Sequence, residues 1–185
     1  MVMITAFLTI LVSCASGAPT AKGVEPTESP LSVVLRRSIE KHSKVLLVTA
    51  FQQWNVGPGD LARSRTLSAA EVSALARELR VPASASFDWE RQCQPPTCQT
   101  VTLAELRATA HRETAGSFES YEDNLRQRYG TASVIELGHH AEADDCAVVF
   151  WSEDLGMLDA RLLLSVLRRV DGAWRVTEEI EVLVS

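Results

Sequence analysis

Two runs constrain this chain more than anything else in it: Cys146-Ala-Val-Val-Phe-Trp151 and Leu162-Leu-Leu-Ser-Val-Leu167 are apolar at nearly every position. A strand sends successive side chains to opposite faces, so each run is greasy on both. They predict two central strands that must be covered twice. Helices would take one side, and a further segment, an apolar ligand cavity or a dimer partner the other. Ser133–His140 and Ala173–Val184 read as strands flanking them, giving four strands in succession. Asp171-Gly172 between the last two is a hairpin signal, because both residues tolerate positive φ. In the last strand Trp174, Val176, Ile180 and Val182 alternate with Arg175, Thr177, Glu179 and Glu181, which predicts one wet face.

Upstream the period is helical. Ser32 can cap a helix to about His42, with Val34, Leu35 and Ile39 inward, and Lys44–Phe51 reads as a short buried strand. Ser68-Ala-Ala-Glu71 is a capping box opening a helix with the stripe Val72, Leu75, Ala76 and Leu79. That helix ends by Arg80, because Pro82 disfavours helix at Val81. Thr102 and Glu105 form a second capping-box pattern, although Val101–Leu106 equally suits a strand. Ser117–Tyr129 carries the stripe Phe118, Tyr121, Leu125, Tyr129, and Gly130 is its natural stop. The fold class is therefore α+β: N-terminal helices with a short strand, packed on a C-terminal four-stranded antiparallel meander. With 185 residues, 46% of them hydrophobic, the chain suits one domain over residues 31–185.

The first thirty residues read differently. Met1–Val12 carries no charge and is too short to span a bilayer. Leu11-Val12-Ser13-Cys14 then resembles the lipobox of bacterial lipoproteins, which implies a signal peptide over 1–13 and acylation of Cys14. Residues 14–30 are poor in large apolar side chains and predict a flexible tether. Ala15, rather than Asp, after the lipidated cysteine implies the outer membrane, periplasmic side, if two membranes are present. The alternative is cleavage at Ser16-Gly17-Ala18, giving a soluble periplasmic or secreted protein. Cys93 and Cys98 bracket Gln94-Pro95-Pro96-Thr97, a turn that favours a local disulfide in an oxidising compartment. Half of a zinc site and unpaired thiols are the other readings. Cys146 reads as a small buried hydrophobe.

Taken in order, the aromatic helix ending Tyr129-Gly130, Ser133-Val-Ile-Glu-Leu137, Cys146–Trp151, Leu163–Val170 and the hairpin Asp171-Gly-Ala-Trp174 carry a resemblance. They are similar to a group of uncharacterised exported bacterial (lipo)proteins with a C-terminal helix followed by a strand meander. More loosely, they look like the cystatin-like or nuclear-transport-factor-two-like superfold. The resemblance implies fold and no chemistry. This chain keeps only Gly156 in the loop between the second and third strands, where that pattern has several glycines.

Chemistry is sparse. A balance of 18 basic against 24 acidic side chains, net −6, argues against nucleic acid. His139-His140 with Glu142, Asp144 and Asp145 is the densest titratable cluster, but adjacent strand residues point apart, so no metal site is assigned. The superfold's enzymes place a His/carboxylate pair in a pocket between helix and sheet. His111, His140 and Asp154 are the candidates for that role here. There is no Gly-x-Ser-x-Gly elbow and no phosphate loop. Trp54 and Trp89, in loop-like stretches, read as anchors for a partner or as plugs at the domain's edge. The leading expectation is a non-catalytic envelope module without a cofactor, anchored through Cys14 and binding a protein partner, a second copy of itself or a small apolar ligand. The alternative is a hydrolase or isomerase.

Overall fold

The computed structural model describes residues 28–110, 119–154 and 160–182. Helix α1 (Pro30–His42) starts three residues earlier than a cap at Ser32 would place it. Ser29 is the cap, its hydroxyl accepting from the Ser32 amide at 3.2 Å, and Pro30 takes the first turn, where its missing N–H costs nothing. Strand β1 (Val45–Val48), short helix α2 (Pro58–Leu61) and α3 (Ala69–Glu78) follow. The Ser68/Glu71 capping box opens α3 as its spacing predicts. A short α4 (Trp89–Gln92) leads to β2 (Cys98–Val101). Val101–Leu106 is both things it resembles: β2 ends at Val101, and Thr102 with Glu105 caps α5 (Leu103–Ala110). Helix α6 (Glu119–Tyr129) precedes the meander β3 (Val134–Ala143), β4 (Cys146–Asp154), β5 (Ala160–Val170) and β6 (Ala173–Val182).

The meander is antiparallel throughout, and β1 and β2 extend it in parallel to a six-stranded mixed sheet of order β2-β1-β3-β4-β5-β6. Asp171 and Gly172, at φ 53° and 80°, form the hairpin turn as expected. Cys93 and Cys98 lie at disulfide distance, 2.02 Å between sulfurs, at the start of β2. No helix of the described residues is long and apolar enough to cross a membrane.

Both faces of the central strands are covered, and the second cover is a further segment of the same chain. On one face Leu31, Val34 and Leu35 of α1 meet Ile135, Val149, Trp151, Leu163 and Leu167. The Trp151 indole N–H, buried there, donates to Ser165 Oγ at 2.9 Å. On the other face the helices form two separate groups. Leu61 of α2 and Leu75 of α3 sit over Val148, Phe150, Leu164 and Val166. Leu106 of α5 with Leu125 and Tyr129 of α6 sit over Leu46, Val48, Val101 and Val134. Helix α3 is held to β5 by Arg168, whose guanidinium bonds Glu71 and the Thr66 carbonyl. That pairing, together with the cap at Ser68, holds the Glu71 carboxyl down at about 2.

On β6 Arg175, Thr177, Glu179 and Glu181 are exposed and Trp174, Val176, Ile180 and Val182 turn inward, as expected, but the two sets do not each keep to one face. A bulge opposite Val166/Leu167 turns the strand over. Trp174 and Val176 therefore pack on the α1 side, whereas Ile180 and Val182 join the core under α3. An alternation read along a sequence assumes an unbroken pleat, and one extra residue reverses every side chain beyond it.

At its C-terminal end α1 is fastened to the sheet by a charge cluster. Glu153 is fully buried. Lys41 Nζ donates to both its carboxylate oxygens at 2.9 Å, and His42 Nε2 lies 2.9 Å from Oε2. The Lys41 side chain is 47% exposed and can reach water alone, but the carboxylate cannot. The cost of breaking the pair is thus lopsided. Lys41→Met should lose about 2 kcal/mol in urea unfolding by leaving the buried Glu153 carboxylate to His42 alone, and adding Glu153→Leu should restore most of it. Simple additivity of the two losses would contradict the anchor.

Candidate functional site

The two helical groups on the second face leave a seam between them, and polar side chains collect in it. Strand parity puts Glu136 on the same face as Val134, and Ser152 and Asp154 on the same face as Phe150. Pairing places Glu136 opposite Ser152 and Val134 opposite Asp154. Over them stands Tyr121, in the first turns of α6. Trp54, from the loop after β1, and Leu106 and Leu162 complete a cavity of about 350 Å³, with Ala160 and Arg161 at its β5 end.

Trp54 is seated by an absence. Any Cβ on Gly138 would lie 2.1 Å from the indole ring, so the bare backbone of β3 is what lets the ring lie down on the strand. Gly138 falls within a bulge between Leu137 and His140. There β1 has ended, and the free edge of β3 takes a bond from the Gln52 amide to the Leu137 carbonyl at 2.7 Å. That bond fixes the segment bearing Trp54.

The electrostatics of the seam are those of charge brought together away from water. Burial pushes the Glu136 carboxyl up and the negative charge of Asp154 adds to it, while the Ser152 hydroxyl, donating to Glu136 Oε2 at 3.0 Å, offsets part. The Tyr121 phenol is pushed up to about 12, by burial first and then by Asp154 and Glu136. The site thus holds a carboxyl inclined to keep a proton beside a second carboxylate, a neutral phenol and an apolar floor. Such a set can bind a positive charge or exchange a proton with a bound molecule.

Comparison with protein-family models, with curated proteins and with solved structures gives no match. The site therefore stands on its own geometry.

Of the residues singled out by sequence, Asp154 lines the cavity and His140 does not. His140 lies past the bulge in β3, its backbone exchanging two hydrogen bonds with Arg80 just after α3. Burial and the Arg80 charge lower its pKa, burial alone lowers that of His139, and Nδ1 of each is buried without a partner. Both histidines belong to β3 itself; the polar turn joining β3 to β4 is Asp144-Asp145. His111 and Cys14 lie outside the described residues, as do Phe118 and Gly156. Among the described residues no three His, Cys, Asp or Glu side chains gather as a metal would require. Burial raises the Cys146 thiol, which keeps it protonated. Trp89 opens α4 and packs against Phe51 and Phe87, with ring centroids 4.9 and 4.6 Å away. It plugs an edge.

Glu136 and Tyr121 have sequence signals that are easy to read for fold alone. Glu136 interrupts the run Val134-Ile-Glu-Leu137, and Tyr121 belongs to the α6 stripe. The raised Glu136 carboxyl has a consequence for stability. The folded chain holds that proton more tightly than the unfolded one, so stability falls as pH rises past the ordinary carboxylate value. Glu136→Gln should therefore raise Tm at pH 8 and raise it less at pH 4, as followed by circular dichroism. An equal shift at both values would show that the carboxyl ionises without penalty.

Proposed function

We propose that this chain is an exported envelope protein, held on a membrane by a lipid on Cys14, whose folded part is a non-catalytic module binding a small ligand in the cavity beneath Tyr121. The observation that carries the binding half is the polar seam itself. Ionisable groups on an otherwise apolar sheet face cost stability, and a ligand site is the usual reason such a cost persists. The export half is supported by Leu11-Val12-Ser13-Cys14, by the tether-like composition of residues 14–30, and by Cys93 and Cys98 at disulfide distance.

The two halves are tested separately. In thermal melts of the purified chain, a ligand at a hundred times its Kd adds about 2.7 kcal/mol. For this size that raises Tm by about 5–10 °C. A panel of amines, sugars, organic acids, lipids and divalent cations should yield a hit that Trp54→Ala weakens. A flat panel would replace the small ligand with a protein partner. Cys14→Ser should move the protein from the membrane to the soluble fraction and abolish labelling by radioactive palmitate, and unchanged fractionation would remove the anchor.

A second reading, a hydrolase or isomerase, draws on one observation: Glu136, held up, stands near Asp154 in the manner of an acid beside a base. Among the described residues no histidine joins the pair: His140 is elsewhere, and His111 lies outside the described residues. If a hit from the panel is consumed by the wild type and left intact by Glu136→Gln, as followed by NMR, catalysis replaces simple binding.

A further inference from the structure

Resting on the anchored-module reading above, we propose that the domain stands on its membrane with the N-terminal end of α1 and the β5–β6 hairpin toward the bilayer. The cavity beneath Tyr121 is then at the far end, and its ligand is a water-borne molecule, not a lipid drawn from the membrane. The strands fix where the cavity lies. Val134, Asp154 and Ala160 share one level across β3, β4 and β5, and all three line the cavity. The opposite end of the same strands carries the turns Asp144-Asp145 and Asp171-Gly172. Strand β5 runs eleven residues from Ala160 to Val170. At the rise of an extended strand, that sets the two ends about 33 Å apart.

The chain enters the domain at the end away from the cavity. Lys41 and His42, the last residues of α1, hold Glu153 beside Asp154, so α1 finishes at the cavity end. One turn back, Arg37 lies 3.9 Å from Glu179, which pairs with Ser165 in the middle of β5. Thirteen residues of helix therefore carry Pro30 about 18 Å up the sheet. Its neighbours agree. Glu28 and Ser29 share a second cavity with Phe87, and the Phe87 ring lies 5.6 Å from that of Phe51, just beyond the far end of β1. With Cys14 in the bilayer, the fourteen residues from Cys14 to Thr27 would span roughly 20 Å as coil. That is less than the length of the sheet, so the entry end is held nearer the lipid than the cavity end. Charge does not oppose this placement, because Arg169 and Arg175 stand among Asp144, Asp145 and Asp171, and Val170 is 38% exposed at the hairpin. The cavity's lining also disfavours an acyl chain, which would press hydrocarbon on Glu136, Ser152, Asp154 and Arg161.

The test uses the full chain carrying its lipid, purified from membranes and added to preformed vesicles of phosphatidylethanolamine and phosphatidylglycerol containing a rhodamine-labelled lipid. A donor dye is attached at one end or the other through Ala173→Cys or Ala160→Cys, both exposed positions. Cys146 is buried, and wild type treated with the dye measures its background. Circular dichroism melts establish that each variant is folded. Energy transfer from the Ala173→Cys variant should be at least about twice that from Ala160→Cys, given the length of the strands between them. Native mass spectrometry of the wild type released in detergent should show the acyl groups on Cys14 and no further lipid. Equal transfer from the two variants, or more from Ala160→Cys, overturns the orientation. A phospholipid carried in addition to the acyl groups overturns entry from water. In both cases the anchor and the cavity stand. If the chain does not float with the vesicles at all, the anchor falls and the orientation with it, whereas the cavity is judged separately by the melts against the ligand panel.

Discussion

Everything in this fold answers to the greasiness of β4 and β5 on both faces. A strand with one apolar face can lean on a single layer of helix and leave its other side to water. Phe150 and Leu164 point one way, Val149, Trp151 and Leu163 the other, and neither set can be left wet. The chain responds with a sheet sandwiched between helices drawn from different stretches of itself. α1 covers one side, with Phe51, Phe87 and Trp89 filling in beside it. On the other side α2 with α3 and α5 with α6 divide the cover.

Dividing a cover between two groups creates a boundary, and the boundary is where function becomes affordable. Inside either core, a carboxylate would displace close-packed carbon and lose its water. At the seam, Glu136 and Asp154 interrupt no core, and the nearby helix needs to supply only Tyr121 and Leu106. The polar patch still has a cost, visible in the upward displacement of Glu136 and Tyr121. Proteins commonly concentrate such costs where something is bound.

What could be read in advance was local. The capping boxes at Ser68 and Thr102, the stop at Gly130 and the Asp171-Gly172 hairpin each involve groups within four residues, whose geometry the chain's own stereochemistry decides. The long-range arrangement was less legible. Nothing in Cys98–Val101 announces a parallel partner for β1, because parallel pairing is set by what lies between the strands. The bulges at Leu137/His140 and Val166/Leu167 reverse faces without a distinctive residue to mark them. For the same reason the site was half visible. Asp154 was one of three candidates for a His/carboxylate pair that the resemblance implies. Its partnership with Glu136 exists only once the register between β3 and β4 is known, and that register excludes His140.

The anchor at the end of α1 takes on a second meaning here. Glu153 and Asp154 are neighbours in sequence and face opposite sides of the sheet, one clasped by Lys41 and His42, the other lining the cavity. Sliding β4 by a single residue would exchange their faces, taking Glu153 away from Lys41 and His42 and leaving the seam with the wrong acid. The clasp on one side therefore acts as an index pin for the other. It favours the one alignment of β4 that keeps Glu153 within reach of Lys41 and His42, so the position of the cavity-lining Asp154 is decided on the opposite side of the sheet.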